Sequence, residues 1–173
     1  RILRQPIKAE RDQPPFDRAT MDGIAVSSNA LQTGTRSFRV AGIAAAGQPQ
    51  ETLTSAHDCW EIMTGAVMPA GADTVIPVER ITQNDGHAEL QDAYSAQAGQ
   101  FVHRRASDHL SGDLLLQPGA RIDGPAMAIL TAAGEPSVEV ARSPAIAVIS
   151  TGDELADVGE PLADFQIRSS NDR

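Results

Sequence analysis

The sequence predicts a mainly β chain of short, irregular strands with one or two short helices, closing on the first strand and loop of an α/β unit. Three observations lead there. Glycine and proline are frequent, 14 and 11 among 173 residues, which suits short strands joined by turns and not long helices. Aromatic residues make up only 3%, so the core has to be built mainly from Ala, Val, Ile and Leu. The strand-like segments also change style. Between 36 and 122 they are short and alternate with polar residues, whereas Ala145–Ile149 is continuously apolar, as in a parallel strand covered on both faces. A domain boundary is therefore expected near 143.

Taken in order, residues 1–13 are polar and charged with little periodicity, which fits either a helix fragment or an extended arm. Pro14-Pro15 stops any helix and stiffens the approach to Phe16. Asp22-Gly23 is a turn before a short strand at Ile24-Ala25-Val26. Phe38 with Val40, and Trp60 with Ile62, alternate as strands do. Thr74–Val78 is a compact apolar run in which Pro77 marks an edge or a strand end. Arg80–Gln83 and His87–Leu90 flank Asn84-Asp85-Gly86, a hairpin signal. Residues 91–100 read as a loop, and 112–122 as strand, turn and strand. Gly124-Pro125 opens a helix with Met127, Ile129 and Leu130 on its apolar side and Gly134 at its C-terminal cap. Val138 and Val140 begin another strand, which Pro144 punctuates. Ser150–Glu154 then forms the loop at the C-terminal end of the 145–149 strand, where α/β sheets carry function.

Charge and composition narrow the function classes. Lys and Arg number 14 against 23 Asp and Glu, a net charge of -9, which opposes nucleic-acid binding. No run approaches the roughly 18 apolar residues of a membrane-spanning helix. The single cysteine, Cys59, rules out an internal disulfide or a multi-cysteine metal site and agrees with a reducing cytoplasm. It reads as a small buried residue. The chain opens on Arg1 with no charged-then-apolar leader, so the expectation is a start inside a longer protein without a secretory signal. His57, His87, His103 and His109 lack metal-ligand spacing, and no nucleophile elbow, Walker loop or dinucleotide fingerprint is present.

Four loops are candidates for chemistry. In residues 14–23 a diproline and Phe16 would fix a loop that presents Asp22 on a tight turn; the plain alternative is a surface turn. Thr64-Gly65 follows a strand and would offer a hydroxyl and backbone N–H groups to an anion, or it is an ordinary connection. In residues 103–109, Arg104 and Arg105 stand beside Asp108. They match an oxyanion through paired donors, or they form a solvated ion pair of little energy. Asp153 and Glu154 suit Mg²⁺, or the same turn caps a helix.

Together these segments resemble the molybdopterin molybdenumtransferase family of the MoeA and gephyrin E-domain type. PPFDRATMDGIAV (14–26), AAGQP (45–49), IMTGAVMPAGADTVIPVE (62–79), RRASD (104–108), GDLLL (112–116), AIAVISTGDEL (145–155) and QIRSSN (166–171) carry the likeness in the family's order. The resemblance implies an elongated, mainly β region in two subdomains, one inserted in the other. It puts an inserted β-subdomain at about 28–110, the other subdomain at 1–27 with 111–143, and the start of a truncated molybdopterin-binding α/β domain at 144–173. It implies insertion of molybdate into adenylated molybdopterin with release of AMP, with Mg²⁺ as cofactor. The protein would be cytoplasmic and homodimeric and would work with a MogA-type molybdopterin adenylyltransferase, without nucleic acid or membrane. By motif, Asp22, Thr64, Asp108 and Glu154 take catalytic roles, Arg104, Arg105, Asp108, Thr64 and Gly65 hold the pterin substrate, and Asp22, Asp153 and Glu154 hold metal. Ile24, His103 and Ala106 depart from the family's usual Tyr, Arg and Gly. The remaining pterin- and metal-binding residues are expected beyond Arg173, so the chain alone is expected to be inactive. Two other classes compete. A dimerisation or scaffolding module fits the same resemblance. A lipoyl-type carrier fits GDLLLQPGARI (112–122) but needs a hairpin lysine, and the only lysine, Lys8, lies in no hairpin signal.

Overall fold

The computed structural model describes residues 1–92 and 94–170. Its strands are β1 (Ile7–Lys8), β2 (Arg18–Ala19), β3 (Gly23–Val26), β4 (Ser37–Ala44), β5 (Asp58–Ile62), β6 (Thr74–Pro77), β7 (Ile81–Asn84), β8 (His87–Leu90), β9 (Val102–His103), β10 (Leu114–Leu116), β11 (Leu155–Ala156) and β12 (Ile167–Arg168). The helices are α1 (Ser28–Gln32) and α2 (Gly124–Ala132), with one 3₁₀ turn at Val78–Arg80. This is the mainly β, two-helix content the sequence predicts.

Six strands form one sheet in the order β6-β3-β5-β4-β8-β7, antiparallel throughout except for the parallel β4–β5 pair. The period-2 alternation of strand side chains sorts the apolar residues onto two faces. Ile24, Val26, Phe38, Cys59 and Ile76 point to one face, where Ala30 of α1 covers them. Ala25, Ile62 and Val75 point to the other, against Ala19, Ala66 and Met68. Burial pushes the Cys59 thiol up to about 12, with Glu61 and Asp58 adding to the effect, so it is a core residue and not a nucleophile. The predicted hairpin is β7–β8. Asp85 and Gly86 both take positive φ, 48° and 78°, the backbone that a two-residue I′ turn needs. Pro77 ends β6 at the sheet's edge, so its missing N–H costs no ladder bond.

Residues 1–13 take the extended-arm alternative. Ile2 bridges Arg121, Leu3 bridges Val140, and β1 pairs with β10. Leu3 and Ile7 on the arm pack with Leu130 and Ala133 of the α2 segment into a separate core. α2 starts as predicted: Asp123 caps it by accepting the Ala126 N–H at 3.0 Å, and Pro125 sits in the first turn. Gln13 bridges His109 where the chain leaves this body and returns to it, so residues between them build the six-stranded body. The expected insert at about 28–110 places Gly23–Val26 outside it, whereas this strand lies between β6 and β5 inside the sheet.

Several local expectations differ from the structure. Arg121 and Val140 make single bridges, not strands. Ala145–Ile149 is not a strand, and Ile146 and Ile149 are each 80% exposed. A parallel strand needs hydrogen-bonded neighbours, and among the described residues no strand pairs with this segment. Among the described residues beyond Pro144, the only strand pairing is the short parallel β11–β12. No helix among the described residues is long and apolar enough to cross a membrane.

Gly23 is where the sheet is tightest. A Cβ there would lie 1.9 Å from the Ile76 carbonyl oxygen. Gly23→Ala is therefore expected to cost about 1–3 kcal/mol or more, read as a lowered denaturant midpoint at unchanged slope.

Candidate active site

Sheet register assembles the first pair of candidate residues. Gly23 of β3 lies opposite Ile62 of β5, so Asp22 just before β3 meets Thr64 just after β5. The Thr64 N–H and hydroxyl donate to the same oxygen, Asp22 Oδ1, at 2.6 and 2.8 Å. The N–H first and the hydroxyl second hold the Asp22 carboxyl below the usual carboxylate range. With a folded-state pKa that is lowered, the stabilising contact is complete above the unfolded value and is lost as pH falls through the folded one. Asp22 is thus an anion at neutral pH, at one end of a groove lined by Ile43, Glu61, Met63, Val78 and Gln83. Gly65 turns the chain at φ 86° and donates its N–H to the Ala19 carbonyl at 2.9 Å.

The second group lies along the β2–β9 ribbon, next to that turn. Ala19 pairs with Val102 and Arg18 with His103. Beyond β9 the arginines are already partnered. Arg104 Nη1 donates to Asp17 Oδ2 at 2.7 Å, and the Arg105 N–H donates to Asp17 Oδ1 at 2.7 Å. Arg105 grips Asp12 through Nε and Nη2 at 2.7 and 2.6 Å. Partial burial opposes ionisation of Asp17, but the Arg105 N–H and the Arg104 guanidinium outweigh it and lower its pKa. Asp12 is lowered by the Ser111 N–H and then by Arg105. Asp108 accepts from His103 Nε2 at 2.9 Å, and this bond is the main cause of its lowered pKa. Asp12, Asp17 and Arg18 are the residues that motif reading passes over. The signal available was their place in the arm and in the diproline loop, one turn from the aspartate of interest.

The third place stands apart. Asp153 and Glu154 are exposed or nearly so, and Glu154 lines a cleft with Ile149, Thr151, Ile167 and Ser169. That cleft shares no residue with the Asp22 groove. Among the described residues no three His, Cys, Asp or Glu side chains gather to hold a metal ion. The expected metal set of Asp22, Asp153 and Glu154 is therefore not assembled within this chain. Asp22 stands before β3 and Glu154 before β11, and these two strands belong to different sheets.

Two consequences are testable. Replacing Thr64 by Val removes the hydroxyl but keeps the N–H, so the Asp22 carboxyl is expected to titrate closer to, but still below, the ordinary range by carboxyl-carbon NMR; an unmoved value would show that the hydroxyl bond is absent in solution. Ala106 has φ 61°, a left-handed backbone that costs an alanine about 1–2 kcal/mol. Ala106→Gly is expected to stabilise the chain by about 0.5–1 kcal/mol in denaturant unfolding.

Comparison with known proteins bears on these loops together. The MoeA N-terminal region model (domain I and II) matches residues 1–134. The molybdopterin molybdenumtransferase of Synechocystis sp. is 39% identical over 171 residues, covering 99% of this chain and 44% of the relative. That of Nostoc sp. is 37% identical over 177 residues, covering 99% and 40%. That of Staphylococcus aureus is 33% identical over 174 residues, covering 98% and 41%. Among solved structures, a molybdopterin biosynthesis MoeA protein from Pyrococcus horikoshii superposes with a TM-score of 0.82 at 34% identity, over 99% of this chain and 44% of that one. A molybdopterin biosynthesis MoeA protein from Pyrococcus horikoshii OT3 superposes with a TM-score of 0.84 at 27% identity, over 99% of this chain and 46% of that one. The chain spans less than half the length of the curated relatives it matches. With the model running unbroken from the arm through the six-stranded body to the end of α2, the chain belongs to the MoeA N-terminal region family, domains I and II.

Proposed function

We propose that this chain serves molybdenum cofactor biosynthesis as the N-terminal part of a molybdopterin molybdenumtransferase, acting in the insertion of molybdate into adenylated molybdopterin with release of AMP. The observation that carries the reading is the meeting of Asp22 and Thr64. Two motif residues 42 positions apart share one carboxylate oxygen at the mouth of an open groove.

The residues suit a polyanionic substrate. Ionised Asp22, aligned by Thr64 through Oδ1, offers its other carboxylate oxygen as a hydrogen-bond acceptor to a hydrated group at the groove. Arg104 and Arg105, aimed by Asp17 and Asp12, present cationic donors beside Asp108 in an otherwise acidic chain. Molybdate and the adenylated pterin are substrates here. Asp22, Asp153 and Glu154 are the side chains that would offer oxygen ligands to Mg²⁺, and among the described residues no three such carboxylates gather into one site. A homodimer in which one protomer's loops face its partner's belongs to the same reading. A substrate that arrives adenylated requires an adenylyltransferase upstream, of the MogA type, and the reading places the work in the cytoplasm.

The test is molybdate insertion by the full-length protein. Asp22→Ala is expected to lower the rate by about 100-fold or more with the dimer intact, and the 173-residue chain alone is expected to show no turnover. Normal turnover by the chain alone would overturn its role as a part. An Asp22→Ala protein that inserts normally but assembles poorly would establish the scaffolding alternative instead.

A further inference from the structure

Among the described residues of the β2–β9 face, Arg18 is the arginine without an ion pair, although its charge acts on Asp108 and helps lower that carboxyl's pKa. Arg104 is paired with Asp17 and Arg105 with Asp12. Among the described residues no carboxylate lies within ion-pair distance of Arg18. Its side-chain partner is the ring of His103, with Nη2 3.3 Å from Nδ1. On its other edge that ring meets Asp108, with Nε2 2.9 Å from Oδ1.

The chemistry of the donors assigns the proton. A guanidinium has donors only, so His103 Nδ1 has to accept from Arg18. The ring's single N–H then sits on Nε2 and donates to Asp108. Neutral His103 links Arg18 and Asp108 into one chain of bonds. A proton added at Nδ1 sets two donors against each other across 3.3 Å, and the Arg18 contact turns repulsive while the Asp108 pair gains charge. The charges facing the ring are Arg18 from β2 and Asp108 from the loop after β9, where the Ser107 hydroxyl also donates to Asp108 at 3.4 Å. Asp12 and Asp17, the other charges of the patch, are held by the two paired arginines.

We propose that Arg18 is an oxyanion-binding side chain of this face, beside Arg104 and Arg105, and that His103 gates it, holding the guanidinium when neutral and releasing it to a phosphate-like dianion when protonated. The inference deepens the proposed function, and its bearing on a phosphorylated substrate rests on that reading. Protonation at Nδ1 frees the Arg18 guanidinium, so binding at this face should tighten as pH falls.

Sulfate is the probe, because unlike phosphate it keeps one charge over the range in which histidine titrates. The 173-residue chain is titrated with sulfate at constant ionic strength, at about pH 5.5 and about pH 8, with Arg18 and His103 side-chain resonances followed by NMR. Affinity is expected to be about tenfold higher at the lower pH, the worth of one charge-assisted bond. Arg18→Gln is expected to remove most of the binding at both pH values, and Arg18→Lys to restore part of it. His103→Gln should bind sulfate with less than about twofold dependence on pH. Unchanged amide resonances at Ala19 and Val102 report an intact ribbon in each variant. Sulfate affinity that does not vary with pH, or a larger loss from Arg104→Gln than from Arg18→Gln, would overturn the assignment. No molybdenum chemistry enters this measurement, so its failure leaves the proposed transferase role standing, and a failed insertion assay leaves the gate standing.

Discussion

The antiparallel register of β3 between β5 and β6 is the constraint on which the rest of this protein depends. Gly23 sits opposite both Ile62 and Pro77, and its lack of a side chain lets the Ile76 carbonyl approach. That register decides where Asp22 stands. One residue of slip would turn Ile24 and Val26 out of one core and Ala25 out of the other. It would also carry Asp22 away from Thr64. Packing and site geometry are thus two results of one pairing, and the two apolar faces protect the position of the carboxylate.

A second, weaker set of contacts joins the two bodies. Asp12 and Asp17 lie on the segment by which the chain leaves the arm, and Arg104 and Arg105 on the segment by which it returns. Their ion pairs are half-exposed, with Arg104 and Arg105 side chains 51% and 66% accessible, and such pairs contribute about 0–1 kcal/mol each. They align the loops more than they stabilise the fold. Stability comes from the three apolar clusters, one on each face of the sheet and one between the arm and α2. Asp73 plays a comparable local part at α1, whose Ser28 N–H and hydroxyl donate to its carboxylate at 2.7 and 2.6 Å. A five-residue helix is too short to stand on its own hydrogen bonds, and this anchor ties its first turn to β6.

Local signals were legible where local physics decides. Asp85-Gly86 named its turn because few dipeptides accept two positive φ values. Pro77 named a strand end because it has no N–H. Gly124 and Pro125 named the start of α2. The candidate residues Asp22 and Thr64 were each visible, but their contact was not, since it depends on which strand lies between β6 and β5. The pairing of Arg104 and Arg105 with Asp17 and Asp12 was hidden for the same reason: 87 and 93 residues separate the partners. Ala145–Ile149 shows the converse. Its apolar run has strand character, but strand formation requires neighbours as well as composition.

What the sequence determined by itself was therefore the set of pieces: short strands, a core of mainly aliphatic residues, turn chemistry, and the order of the motifs that mark the family. Those follow from side-chain shape and backbone freedom over a few residues. Which pieces meet was decided only by the tertiary structure, through strand register and the return of the chain beside the arm. Hydrogen bonds and ion pairs act over a few ångströms of space, whatever the separation along the chain, so the partners of Asp22, Arg105 and Arg18 exist only once the sheet and the ribbon have closed.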